Sequence, residues 1–442
     1  MDNINKMKDP YRTSRLLYII EAALEYFISI LVGTTYLAKL TTSIGISDGV
    51  TGVLTSFVAL GSSFQIFALL IAGKRPVKRF VVPMHLFNEL CFTFLYAVPL
   101  FNIPRGARTV VFVVLLLAGN IVHNVINAPK INWLMGLVDD GQRGTFTAKK
   151  EIVSLLSGMA VSLAMGTLID TLEARGELKL AFVITGITVF ALTVIHSLSL
   201  IFAKERCDEP LPEQKIGAQL RSALTDRSTH VLIPLFVLWN VATYVTTPFY
   251  GTYQLGELGF SMTEVAILSA VYAVLRAVVS VPMGKFADKY SFVSALNICF
   301  SLMIVGFGLN IFAGKAFYIA YYLIYAVAMA GINSGTINLI YDYTPRANRT
   351  GALAIKNTVS GIIGFVATLA ARPLVDYVQA NGNRFLGIEG VYAQQVLSAI
   401  GAILTVAVVI YLNVAVKRLY RPHEVNDVLE DKHLPREAGG ES

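Results

Sequence analysis

Residues 127–170 read NAPKINWLMGLVDDGQRGTFTAKKEIVSLLSGMAVSLAMGTLID, and residues 333–376 read NSGTINLIYDYTPRANRTGALAIKNTVSGIIGFVATLAARPLVD. Set against each other at an offset of 206, they agree at 13 of 44 positions. The polar coincidences carry the weight: Asn127 falls on Asn333, Asn132 on Asn338, Arg143 on Arg349, Lys150 on Lys356, Ser154 on Ser360, Gly158 on Gly364 and Asp170 on Asp376. Shared apolar composition does not generate such matches. A second register, offset by 211, lays Gly73, Lys74 and Lys78 on Gly284, Lys285 and Lys289. The chain therefore reads as two parallel copies of one unit.

Each copy is built to cross a membrane. Of 442 residues, 55% are apolar and only 15% charged, against about 25% charged in ordinary soluble domains. The apolar residues come in runs of about twenty, the length a helix needs to cross ~30 Å of hydrocarbon. Twelve spans are expected, at 16–38, 50–72, 80–101, 109–135, 149–171, 178–203, 229–253, 263–283, 292–313, 317–342, 351–376 and 391–416. Assigned alternately to the two faces, Lys and Arg divide 25 against 7. Basic loops stay cytoplasmic, so both termini are expected inside, which an even number of crossings also requires. The first run is too long for a cleaved leader and lacks a small-x-small site. The expected organisation is a tail at 1–15, a six-helix bundle at 16–203, a charged and proline-bearing linker at 204–228, a second bundle at 229–416 and a tail at 417–442.

This pattern resembles the major facilitator superfamily across residues 10–420. The family's loop motif after its second span, GxxxDRxGRR, keeps its glycine, acid and base here as Gly284, Asp288 and Lys289, in what is expected to be a short loop. The first copy, Gly73, Lys74 and onward, has Val77 where the acid belongs. Arg143, with Arg349 as its mate, is similar to the family's fourth-loop arginine. The resemblance implies an all-α membrane fold of two parallel six-helix bundles, alternating access around a midplane site, and a cavity lined by spans 1, 4, 7 and 10.

Those four spans carry the polar stripes. Span 1 holds Glu21 and Glu25 one turn apart, and Glu25 lies near the midplane; both are proton-coupling candidates, with an ion pair to Arg276 as the structural alternative for Glu25. Span 4 presents Asn120, His123, Asn124 and Asn127 at helical spacing, and His123 joins the proton candidates. Span 7 presents Asn240, Thr243 and Tyr244, span 8 Tyr272 and Arg276, and span 10 Asn333 and Asn338. Lipid cannot satisfy such groups, so they are expected to face protein or water. Small residues at every fourth position, Ser154, Gly158, Ser162 and Gly166 with the mates Ser360 and Gly364, suit close packing between the halves or static packing within one. Arg372, one turn from Asp376, reads as an outer latch or a snorkelling base.

Several classes fall away. Three cysteines without CxxC spacing give no disulfide framework. There is no HExxH, GxSxG or P-loop, and the six histidines never fall at metal-ligand spacing on a helix. No cofactor, metal or nucleic acid is expected. The reading is a monomeric secondary transporter in the plasma (inner) membrane of a bacterium, in contact with lipids and coupled to protons. Its expected cargo is a small organic solute, with a neutral hydroxylated solute of sugar or nucleoside type favoured. The alternatives are a proton-driven exporter of drugs or metabolites and, from another class, an intramembrane enzyme or a non-transporting sensor on the same fold.

Overall fold

The computed structural model describes residues 10–68, 76–139, 142–206, 216–345 and 348–419. It is nearly all helical. Among the described residues 11 helices are long and apolar enough to cross a membrane, or 12 when the bent pair Arg12–Leu31 and Thr34–Ser43 counts as one. Large apolar side chains outside the core, such as Ile187, Val278 and Ile403, are exposed along the bundle's flank. That surface is suited to lipid, which offers hydrocarbon but no hydrogen bonds.

Span 1 is that bent pair, broken at Val32–Gly33. Span 7 breaks in the corresponding place. Its helix Arg227–Tyr244 ends at Val245, and a 3-10 turn at Thr247–Phe249, a short helix at Tyr250–Thr252 and a π turn at Tyr253–Glu257 follow. Pro248 lacks the N–H that a continuous α-helix would require there. Both breaks are in spans that line the central cavity. Gly251, beyond the second break, is a close-approach point: a Cβ would lie 2.5 Å from the Thr34 carbonyl oxygen of the first half.

Each half keeps its own apolar core. One cluster joins Leu235, Phe236, Phe300, Phe307, Tyr318, Tyr321 and Leu412. Another joins Ile28, Leu31, Leu95, Phe112, Leu116 and Val189, and takes in Met262 from the second half. Where Val77 replaces the motif's acid, Glu205 arrives from the far end of the first half and accepts the backbone N–H groups of Val77 and Lys78 at 2.7 and 3.0 Å. A carboxylate there stabilises the start of the helix Lys78–Leu95 through the helix dipole.

The second copy of the loop motif departs from expectation. Gly284, Asp288 and Lys289 lie in the last turns of the helix Met262–Lys289, and the link to the next helix is only Tyr290 and Ser291. No turn residue interrupts the helix between Lys285 and Lys289, so it continues to the basic residue that favours a helix C-terminus. Lys289 then rests over the Tyr290 ring. Arg143 and Arg349 open the helices Arg143–Ala174 and Arg349–Ala380, and Arg349 donates to the carbonyls of Thr344 and Tyr341. Gly73 and Lys74 lie outside the described residues.

The halves lock together at the end opposite the termini. Asp170 accepts from the backbone N–H groups of Met262 and Thr263, at 2.9 and 2.8 Å, and from the Thr263 hydroxyl. Its repeat mate Asp376 lies against Gly49 in the first turn of span 2, held by Arg372 at 3.1 Å. Gln379 donates to Asp48, and Thr35 to Gln254. The same two aspartates of the repeat thus serve two equivalent interfaces, each placing a negative charge at a helix N-terminus.

The stripes of small residues divide between partners. Gly158 backs onto Tyr26 in its own half, whereas Gly166 meets the Met262 backbone of the other. The Ser162 carbonyl accepts from Tyr36, and Ser154 is buried in the same helix. Ser360 accepts from Asn240 and Gly364 packs on Tyr244, so both serve packing within the second half. Gly361, beside them, touches the first half, against the Ala59 carbonyl. A four-residue step advances about 40° beyond a full turn, so a long stripe drifts from one neighbour to the next. Gly361→Val places a branched side chain against backbone that cannot yield. Transport in membrane vesicles is expected to fall at least ~10-fold with expression unchanged, as close packing requires at small-residue contacts.

Candidate functional site

Between the halves lies a cavity of about 460 Å³, within the range of small-molecule sites. The first half supplies Glu25, Ser29, Asn88, Glu89, Asn120 and His123; the second supplies Trp239, Asn240, Thr243, Tyr244, Thr247 and Tyr325. Both helix breaks, at Val32–Thr34 and Thr247–Pro248, form part of its wall. Asn120, Asn240, Thr243 and Tyr244, cavity residues by their spacing in the sequence, do line it.

Other residues expected to line the cavity are elsewhere. Asn124 turns toward Gly61 of span 2 and donates to the Asn120 carbonyl at 2.9 Å. Asn127 and Asn338 are half-buried away from the cavity, and Asn333 is exposed. Tyr272 lines a second pocket between spans 1, 5 and 8, with Tyr26, Gly158 and Tyr322. Arg276 is exposed on span 8. The cause is again helical drift: a polar stripe wide enough to include i, i+3, i+4 and i+7 faces two neighbours at once.

Glu25 pairs with Lys130 rather than with Arg276. Lys130 Nζ lies 2.7 Å from Glu21 Oε1 and 2.7 Å from Glu25 Oε1, so one buried ammonium bridges both carboxylates. His123 Nδ1 approaches Glu25 Oε1 at 3.7 Å from the cavity side. Lys130 continues the face of span 4, seven residues after His123 and three after Asn127. That spacing is a readable signal in the sequence.

Behind this pair the polar network continues inward. His196 Nε2 faces Glu21 Oε1 at 3.3 Å and its Nδ1 faces Glu89 Oε1 at 2.5 Å. His85 Nε2 lies 3.4 Å from Glu89 Oε1, and its ring meets the His196 ring edge-on, with centroids 4.1 Å apart. Histidine spacing along single helices gives no metal-type pattern, yet His85, Glu89 and His196 each bring a ligand atom within 4.8 Å of the others. They come from two helices, which spacing along one helix does not reveal. His85, Asn88 and Glu89, at i, i+3 and i+4 in the middle of an apolar span, are the available sign.

A helical bundle in two repeated halves around a largely apolar cavity set with a few polar groups defines a class of membrane carrier, and known proteins agree with it. The family model for the Major Facilitator Superfamily matches residues 18–369 and 240–436. The chain belongs to that superfamily, and is a multi-pass membrane transporter rather than an enzyme. No curated protein sequence matches it. Among solved structures it is similar to the nucleoside transporter NupG, at TM-score 0.70 and 13% identity, covering 92% of this chain and 100% of that one. It is also similar to a D-xylose-proton symporter, at TM-score 0.63 and 14% identity over 89% and 97% of the two chains. A third is the POT family transporter PepTSo, at TM-score 0.67 and 12% identity over 92% and 99%. At these identities the likeness concerns the fold.

Proposed function

We propose that this chain is a secondary transporter that carries a small, neutral, hydroxylated solute of nucleoside or sugar type by alternating access, driven by protons taken up at Glu25. The carrying observation is the division of the cavity walls. One wall presents Glu25 with His123; the other is neutral, with Asn240, Thr243, Tyr244 and the faces of Trp239 and Tyr325. Amide and hydroxyl groups beside aromatic faces suit a hydroxylated ring, and a wall without net charge gives a strongly ionic cargo no counter-charge. The names of two similar structures, a nucleoside transporter and a D-xylose-proton symporter, support the same class.

Coupling follows from the shared lysine. While Glu25 is ionised, it and Glu21 compete for Lys130. A proton on Glu25 releases Lys130 to Glu21 and frees the cavity wall to turn toward the solute, with His123 as the group through which the proton enters. On the excess of basic residues we read the termini as cytoplasmic, which turns the end interlocked through Asp170 and Asp376 outward.

The test is uptake by purified protein in vesicles with an imposed pH gradient, scanning nucleosides, sugars, peptides and cationic drugs. Gradient-dependent accumulation of a nucleoside or sugar is the expected result. Selective movement of a charged class, or transport indifferent to the gradient, overturns the reading. Tyr244→Phe removes one hydroxyl from the neutral wall and should raise KM about three- to tenfold, the equivalent of a single hydrogen bond near 1 kcal/mol. Its maximal rate should change little.

A further inference from the structure

We propose that His85, Glu89 and His196 form a binding site for a divalent transition-metal cation, reached from the central cavity and oriented by Glu21. The donor set is two imidazoles and a carboxylate, the chemistry that suits zinc and its first-row neighbours. All three residues are at most 2% exposed, and their ligand atoms lie within 4.8 Å of one another.

Three further observations point to a ligand. First, both ring nitrogens of His85, Oε2 of Glu89 and Oδ1 of Asn88 are buried without a hydrogen-bond partner. Four orphaned polar atoms within two turns of one helix are costly. A cation satisfies the lone pairs of His85 and Glu89 together, which a single proton does not. Glu89 and Asn88 also line the cavity, so the site has an entrance and a position open to water or solute.

Second, Glu21 stands where a metal-bound histidine needs its outer partner. Its Oε1 lies 3.3 Å from His196 Nε2. A proton held on Nε2 by that carboxylate leaves the Nδ1 lone pair aimed at Glu89 Oε1, only 2.5 Å away. At that distance a positive centre must lie between the ring and the carboxylate, either a second proton on Nδ1 or a metal ion. The carboxylate–histidine–metal arrangement supplies one. Metal–nitrogen bonds of about 2.0–2.1 Å then require the two groups to part slightly, and the ring of His85 to turn toward them.

Third, the charges close. Glu21 and Glu25 share one ammonium, that of Lys130, while Glu89 faces only the imidazoles of His196 and His85. With the imidazoles neutral, as metal ligation requires, three carboxylates and one ammonium leave a net charge of −2 in the network. One divalent cation neutralises it.

The metal site is independent of the identity of the transported solute. Its test is Co²⁺ titration of the full-length protein in detergent, purified without a polyhistidine tag and read by visible absorption. One equivalent should produce the bands of a nitrogen- and oxygen-ligated Co²⁺, and Zn²⁺ should displace it. Glu89→Gln and His85→Ala should each weaken binding at least ~100-fold. Elution of His85→Ala as wild type is the control that this truncation of a buried ring leaves the bundle folded. Glu21→Gln, which reaches the metal through His196 and not as a ligand, should weaken it about 10–100-fold. Replacing His423 and His433 near the chain end together should leave the bands unchanged. Absent bands in the wild type, bands that survive both Glu89→Gln and His85→Ala, or bands lost on replacing the terminal histidines would each overturn the proposal. The readout involves no transport, so it stands apart from any failure of the proton-driven reading.

Discussion

Glu25→Gln should abolish concentrative uptake while leaving exchange of solute across the membrane intact. A gradient of one pH unit supplies about 1.4 kcal/mol per coupled proton, which holds a solute at a concentration ratio of about ten. Glutamine keeps the side chain's size and its hydrogen-bonding contact with Lys130, but it neither gains nor loses a proton. The variant resembles the protonated carrier permanently, so both access states remain reachable when solute is bound. Counterflow of labelled solute between equal pools is therefore expected within about twofold of wild type, and accumulation against a gradient should collapse to a ratio of about one. Accumulation by Glu25→Gln at the wild-type ratio would remove Glu25 from the coupling step. Loss of counterflow as well would show that the carboxylate has a structural duty. His123, 3.7 Å away on the cavity side, gives a graded comparison. His123→Gln should slow uptake without changing the final ratio, because a group that passes a proton affects rate and not equilibrium.

Much of this arrangement is legible in the chain itself. The repeat linking Asp170 to Asp376 predicts equivalent positions, and both aspartates meet helix starts in the opposite half. Polar stripes in spans 1, 4 and 7 point to a shared cavity, which Glu25, Asn120, His123 and Asn240 line. What is not legible depends on rotation and on tertiary contact. A stripe of polar or small residues fixes a face only to within the width of a neighbour, so Asn124 goes to span 2 and Gly364 to span 7. Lys130 is legible as a continuation of the His123 face, but nothing local reveals that it reaches back to span 1. Glu89 and His196 are separated by 107 positions and lie on helices that need not have touched. Their meeting is a product of bundle packing, and its trace in sequence is the cost of placing such groups in an apolar run at all.

Lys130 is where that cost is concentrated. It is buried with Glu21, each with a side chain only 2% exposed, and it bridges Glu25 as well. Replacing it with methionine preserves most of the stem and removes the charge, leaving two carboxylates one turn apart without their cation. Breaking a buried ion pair by removing one partner costs about 3–5 kcal/mol, mostly from the charge left behind. The Lys130→Met protein should consequently show a large fall in melting temperature in detergent and poor recovery from membranes. The cause can be separated from lost packing by a second change. In Glu21→Gln combined with Lys130→Met, the more deeply buried carboxylate is neutralised too, and a substantial part of the lost stability should return, giving a coupling energy of at least ~1 kcal/mol in the double-mutant cycle. Strictly additive effects would mean that Lys130 stabilises the bundle through its stem alone. If stability returns while proton-driven uptake does not, the two duties of the lysine come apart: neutralising Glu21 holds the first half together, and release from Glu25 is the step that carries the proton's signal to the cavity.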